Sequence, residues 1–151
     1  MKLQQVMSLT RKAIDDYHMI DAGDKIAIGI SGGKDSIALL HALNGLKRFY
    51  PNSFDIVAIT VDLGFKNVDF AKIKALTEEL GCNKIAYAHH KDDLVETMLM
   101  SFIYEGRIHT FSPKTYLDRM DLTVIRPLMY MNEADVIGFI NKMELPILKS
   151  P

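Results

Sequence analysis

The segment that most restricts the fold is Lys25-Ile-Ala-Ile-Gly-Ile30, which runs without a break into Ser31-Gly-Gly-Lys-Asp-Ser36 and then Ile37-Ala-Leu-Leu-His-Ala-Leu43. The first run is short and almost wholly apolar, as a strand buried on both faces should be. The last run shows a wide apolar face at helical spacing. The six residues between them are few, so the helix starts where the strand stops. A strand that hands over directly to a helix is the opening of an α/β unit.

The remaining chain repeats this alternation. Val6, Leu9, Ala13, Ile14, Tyr17 and Ile20 stand at helical spacing and predict a helix over Leu3–Ile20, closed by a turn at Asp21-Ala-Gly-Asp24. Phe54–Val61 is rich in β-branched residues and predicts a second strand. Asp69–Leu80 reads as a helix and Asn83–Ala88 as a third buried strand, followed at once by His89-His-Lys-Asp-Asp93. The pairs Leu94/Val95, Met98/Leu99 and Phe102/Ile103 mark an amphipathic helix. A polar loop is expected from there to about Asp121, then a short strand at Leu122–Ile125 ending on Arg126-Pro127. Asn132 opens a last helix with Val136, Ile137, Ile140 and Met143 facing inward. Strands alternating with helices predict a doubly wound α/β fold, a parallel sheet covered on both faces, with ligands beyond the carboxyl ends of the strands.

Composition bounds the function. At 151 residues the chain is one domain by size, and 48% hydrophobic with 25% charged residues is ordinary for a globular protein. No apolar run has the length of a membrane span, and Met1-Lys-Leu-Gln-Gln lacks the apolar centre of a signal peptide. Cys82 is the single cysteine, which excludes an internal disulfide and fits a reducing, cytoplasmic location. A net charge of −1 gives no global field toward nucleic acid, so an RNA footprint would be local.

Two glycines after a strand let the backbone turn tightly and approach a ligand, and the helix that follows offers N–H groups and a positive dipole end to an anion. Lys34 adds a charge, and the hydroxyls of Ser31 and Ser36 can donate to phosphate oxygens. Asp35 would repel a phosphate unless Mg²⁺ stands between them. Two familiar loops do not fit. A Walker A loop needs four residues between its glycines, whereas three separate Gly29 from Gly33, and Asp35 follows the lysine where Ser or Thr is required. Gly29, Gly32 and Gly33 do not supply the Gly-x-Gly-x-x-Gly of a dinucleotide site.

What remains resembles the PP-loop of the ATP pyrophosphatase superfamily, with its adenine nucleotide alpha hydrolase (HUP-like) fold. The resemblance implies ATP cleaved between its α- and β-phosphates, with Ser31, Gly32, Gly33, Lys34, Asp35 and Ser36 around the phosphates. The later elements are Asp62-Leu-Gly64, Gly81-Cys-Asn-Lys-Ile85, His89-His-x-Asp-Asp-x-Val-Glu-Thr97, Tyr104-Glu-Gly-Arg107 and Val124-Ile-Arg-Pro-Leu128. In that order they are similar to the tRNA 2-thiocytidine synthetase family (TtcA). The likeness implies adenylation of an anticodon-loop cytidine of tRNA, then displacement of AMP by sulfur from a cysteine desulfurase or other donor. It puts Asp62 near the nucleotide, Lys34 and Asp35 among the catalytic residues, and His90, Asp93 and Arg126 facing the reaction centre. Mg²⁺ on Asp35, a 4Fe-4S cluster and a homodimer also come with the family.

Other readings compete at these positions. Asp93 and Glu96 fit a capping box, His90 fits a polar strand end, and a metal held by His89, His90, Asp92 and Asp93 would need an unusual spacing. Arg126 fits a surface ion pair as well as a phosphate clamp. Arg107, Lys114 and Arg119 form a dispersed basic loop, diluted by Asp118 and Asp121. Met98, Met100, Met129 and Met131 read as packing.

The sequence departs from the family in one respect. The cluster-bearing cysteines are absent, and Cys82 stands where the family places no ligand. Between Phe70 and Gly81 there is room for one short helix, where the family has a helix, a strand and a cysteine-bearing helix. The expectation is a single domain over residues 1–151 that lacks a segment at about 70–81. Either the complete protein is longer, or this is a short ATP-binding domain unable to thiolate. A lysidine-type tRNA ligase and a non-catalytic ATP-binding module are the alternative functions.

Overall fold

The computed structural model describes residues 3–30, 33–60, 70–88, 113–117 and 121–143. In chain order these form α1 (Leu3–Asp16), β1 (Asp24–Ile30), α2 (Lys34–Leu46), β2 (Phe54–Thr60), α3 (Phe70–Leu80), β3 (Lys84–Ala86), β4 (Lys114–Leu117), β5 (Leu122–Ile125) and α4 (Glu133–Met143). The strands make one sheet in the order β2-β1-β3-β5-β4, parallel except for β4, which runs antiparallel along β5.

Alternate residues of the strands serve opposite faces, and each face has its own buried core. Ile26 and Ile28 of β1, Ala86 of β3 and Ile125 of β5 pack with Val6, Ala13 and Ile14 of α1, Leu39 and Leu43 of α2, and Val136, Phe139 and Ile140 of α4. Ala27, Ile85, Leu122 and Val124 turn the other way, against Leu76 and Leu80 of α3. This is the doubly wound α/β arrangement that the alternation of strand and helix predicts.

Three local expectations are corrected. The first helix ends at Asp16, not Ile20. His18 adopts a left-handed conformation (φ 49°), its N–H donates to the Asp15 carbonyl at 3.5 Å, and the Met19 N–H donates to the Ile14 carbonyl at 2.9 Å. That is a Schellman cap with a histidine where glycine is usual, and the buried Met19 and Ile14 form its apolar contact. Tyr17, past the helix end, is exposed. In α4 the inward face is Val136, Phe139 and Ile140, while Ile137 and Met143 are exposed. The polar loop expected up to Asp121 contains the edge strand β4, and Lys114 lies in that strand, its ammonium donating to the His18 carbonyl at 2.7 Å.

The amino ends of the central strands are locked by charge. Lys84 is almost wholly buried, and its ammonium donates to the Met19 carbonyl at 2.7 Å, to Asp24 at 2.6 Å and to Asp21 at 3.0 Å. Asn83 closes the same network, its amide donating to Asp24 at 2.8 Å and its side-chain oxygen accepting from the Lys25 N–H at 2.9 Å. The preceding Gly81 (φ 72°) ends α3 in a second Schellman cap, with Gly81 N–H on Glu78 and Cys82 N–H on Thr77. Within Gly81-Cys-Asn-Lys-Ile85, then, Gly81 caps a helix, Cys82 fills the core, and Asn83 and Lys84 fasten β3 to β1.

Candidate active site

From β1 the chain goes to β2 on one side, and from β3 it goes to β4 and β5 on the other, so the direction of winding reverses between β1 and β3. At such a point the two connections diverge at the carboxyl ends and leave a crevice. Gly33 and the first turn of α2 follow β1, Tyr87 and Ala88 lead out of β3, and Arg126 leaves β5. With strands about 4.8 Å apart, β1 and β5 are separated by roughly 10 Å across β3, a span suited to a nucleotide's phosphates and a reacting group beyond them.

Gly33 caps α2 with extended backbone (φ −80°, ψ 171°) and no side-chain cap bond. The first turn of α2 therefore points its N–H groups and positive dipole end at the rim. Ser36 is buried, and its hydroxyl donates to the Gly33 carbonyl at 3.1 Å, tightening that turn. Lys34, in the same turn, pairs with Asp35 at 3.5 Å and with Glu133 of α4 at 3.0 Å. Burial by itself would lower the Lys34 pKa. The Glu133 hydrogen bond and the Asp35 charge outweigh it, and the ammonium is held above the ordinary lysine value.

Glu133 was not legible as a site residue, since it sits far from the loop in sequence. Its one signal is an acidic residue in a first helical turn, which reads as dipole stabilisation. Its placement is nevertheless well defined. Asn132 and Asp135 cap α4 reciprocally, with the Asp135 N–H on the Asn132 side chain at 2.8 Å and the Asn132 N–H on the Asp135 carboxylate at 3.3 Å.

Arg126 lies at the end of β5 as expected, half-buried beside Tyr87. Burial lowers the arginine's pKa, partly offset by Tyr87, and burial raises that of the Tyr87 hydroxyl. Of the residues singled out in the sequence, the structure gathers Gly33, Lys34, Asp35, Ser36 and Arg126 on this rim. Ser31, Gly32, Asp62, His89, His90, Asp92 and Asp93 lie outside the described residues. A pocket of about 380 Å³ lined by Asp15, His18, Asp21, Tyr50 and Asn52 is at the opposite, amino end of the strands. Among the described residues no group of three or more His, Cys, Asp or Glu is placed to hold a metal, and no helix is long and apolar enough to cross a membrane.

A helix opened by Gly33 and Lys34 just after a central parallel strand, at the switch point of a doubly wound sheet, is the arrangement of the nucleotide-binding class of α/β domains. The family described as PP-loop domain matches residues 67–148. The tRNA-cytidine(32) 2-sulfurtransferase of Syntrophotalea carbinolica is 34% identical, covering 96% of this chain and 73% of its own. The enzyme of the same name from Geobacter sulfurreducens is 30% identical, over 97% of this chain and 74% of its own. Among solved structures, the U34-tRNA thiolase NcsA of Methanococcus maripaludis, with its [4Fe-4S] cluster, superposes with a TM-score of 0.68 at 20% identity, covering 98% of this chain and 65% of that one. The chain belongs to the PP-loop family of tRNA-cytidine(32) 2-sulfurtransferases. The first of these alignments runs over 189 residues against a chain of 151, so that relative carries internal stretches with no counterpart here.

Proposed function

We propose that this domain binds ATP at the loop 31–36, adenylates a cytidine of tRNA, and supports its 2-thiolation. The observation that carries this reading is the first turn of α2, capped by Gly33 without a side chain and carrying Lys34, at the carboxyl end of β1. Sequence kinship with 2-sulfurtransferases supplies the substrate class. In the first step the cytidine O2 bonds to the α-phosphorus and pyrophosphate leaves. The α2 amides and Lys34 hold the β- and γ-phosphates as charge builds on the leaving group. In the second step sulfur at the hydrosulfide level bonds to C2, the C2–O bond breaks, and AMP departs with the oxygen. No redox equivalent is consumed. Arg126 would face the reacting phosphate, with Asp62 near the nucleotide and His90 and Asp93 near the base.

Mg²⁺ fits the residues present, because it commonly takes one or two carboxylates and fills its remaining positions with phosphate oxygens and water. Asp35 would hold it, and the ion would neutralise charge between that carboxylate and the phosphates. A 4Fe-4S cluster does not fit. It needs several thiolates, whereas these 151 residues contain Cys82 alone, buried in the core with its pKa raised by burial. No step is routed through a cluster. A segment lacking at about 70–81, a cytoplasmic setting, a separate sulfur donor and a homodimer complete the reading.

The test is incubation with tRNA, Mg·ATP and sulfide, followed by nucleotide analysis and mass spectrometry of the digested tRNA. AMP and pyrophosphate formed only with tRNA, together with 2-thiocytidine, are expected. The single buried cysteine favours one rival, a lysidine-type ligase, and lysine joined to cytidine would identify it. ADP and phosphate as products would overturn the α–β cleavage, and absence of turnover would leave a binding module.

A further inference from the structure

Lys34 opens α2 and Glu133 opens α4, two helices from opposite halves of the chain, yet their charged ends meet at 3.0 Å. With Asp35 at 3.5 Å, one ammonium stands between two carboxylates. The Lys34 side chain is 27% exposed and that of Glu133 50%, so the carboxylate can swing into water while the ammonium has less freedom to move. With Mg²⁺ on Asp35 offsetting that carboxylate, Glu133 and a phosphate oxygen remain as two anions competing for one ammonium, which leaves excess negative charge at Lys34. The α2 dipole, worth about half a charge, does not correct that. A phosphate oxygen therefore reaches Lys34 only when one carboxylate withdraws, and Glu133 is the more exposed of the two.

We propose that Glu133 is a positioning residue that occupies Lys34 as an internal substitute for phosphate, and that the β,γ-phosphates of the nucleotide displace it. This rests on the reading of the loop as an ATP site. The capping of α4 by Asn132 and Asp135 does not involve the Glu133 side chain, so the helix survives the exchange. Nucleotide binding then becomes a charge exchange that releases the first turn of α4 from the loop.

The experiment is titration of Mg·ATP, with Mg·AMP as control, into the wild type, E133Q, K34Q and the double variant. E133A and thermal melts guard against misfolding. Removing the competing carboxylate should tighten ATP binding about threefold to fivefold, the scale of a half-exposed ion pair. AMP, which lacks the displacing phosphates, should bind unchanged, and E133Q should have no effect in the K34Q background. Equal or weaker ATP binding by E133Q and E133A overturns the proposal. So does tightening that persists without Lys34, since that is simple repulsion of the nucleotide. If the folded wild type binds ATP no better than AMP and K34Q is no weaker, the phosphate-loop reading itself fails, and the proposal falls with it.

Discussion

Lys84 shows how much one side chain can decide. Its ammonium is surrounded by Asp24, Asp21 and the Met19 carbonyl, and Asp24 is itself buried. Lys84→Met leaves a buried carboxylate without its cation, which costs about 3–5 kcal/mol. Urea denaturation of the variant should show that loss, and adding Asp24→Asn should recover part of it. Tyr50 provides a pH signature. Burial first, then its 2.6 Å hydrogen bond to Asp15, push the hydroxyl up to about 12. Because the folded pKa lies above the unfolded one near 10, the associated stability is intact below pH 10 and is lost as pH rises toward 12. Absorbance titration should find Tyr50 among the late-ionising tyrosines, beside Tyr87 and Tyr130, and Tyr50→Phe should remove one of them and flatten the alkaline loss of stability.

The elements differ in how openly their sequences announce them. β1 and the start of α2 were legible because an isoleucine run, two glycines and an apolar helical face follow one another without ambiguity. α4 was legible at its start because Asn132, a preferred N-cap residue, stands ahead of an apolar helical pattern. Asn132→Ala should lower stability by about 1 kcal/mol, read as a fall in melting temperature. The end of α1 was not legible, since a histidine in the left-handed conformation leaves no glycine to mark it. β4 was hidden because Lys-Thr-Tyr-Leu gains strand character only from its pairing with β5. Glu133 escaped notice for a related reason: the Lys34 contact is made by the packing of α4 against α2, and local sequence carries no trace of it.

At the scale of the whole molecule the candidate site sits at one end of the sheet and the buried charge network at the other. Lys34→Gln should weaken ATP binding about tenfold to a hundredfold, by loss of a charge-assisted hydrogen bond. It should leave the urea midpoint nearly unchanged, because Lys34 belongs to the rim and not to the core. A matching loss of stability would show that the Lys34–Glu133 pair serves chiefly to hold α2 and α4 together. That Lys34 opens a helix after β1 and that Arg126 follows the last strand was readable from motif and position. Their convergence was not, because the order β2-β1-β3-β5-β4 is a property of the folded sheet.

β1 joins these two ends. Seven residues at about 3.3 Å each make a rod of roughly 23 Å, anchored by the Asp24–Lys84 salt bridge at one end and reaching Ile30 at the other, just ahead of α2. A single strand thus separates the freedom to diverge from the obligation to fold. Sequence drift at its carboxyl end can alter what the domain binds while the amino end keeps the scaffold standing. Drift at Asp24, Asn83 or Lys84 would remove the scaffold whatever the ligand.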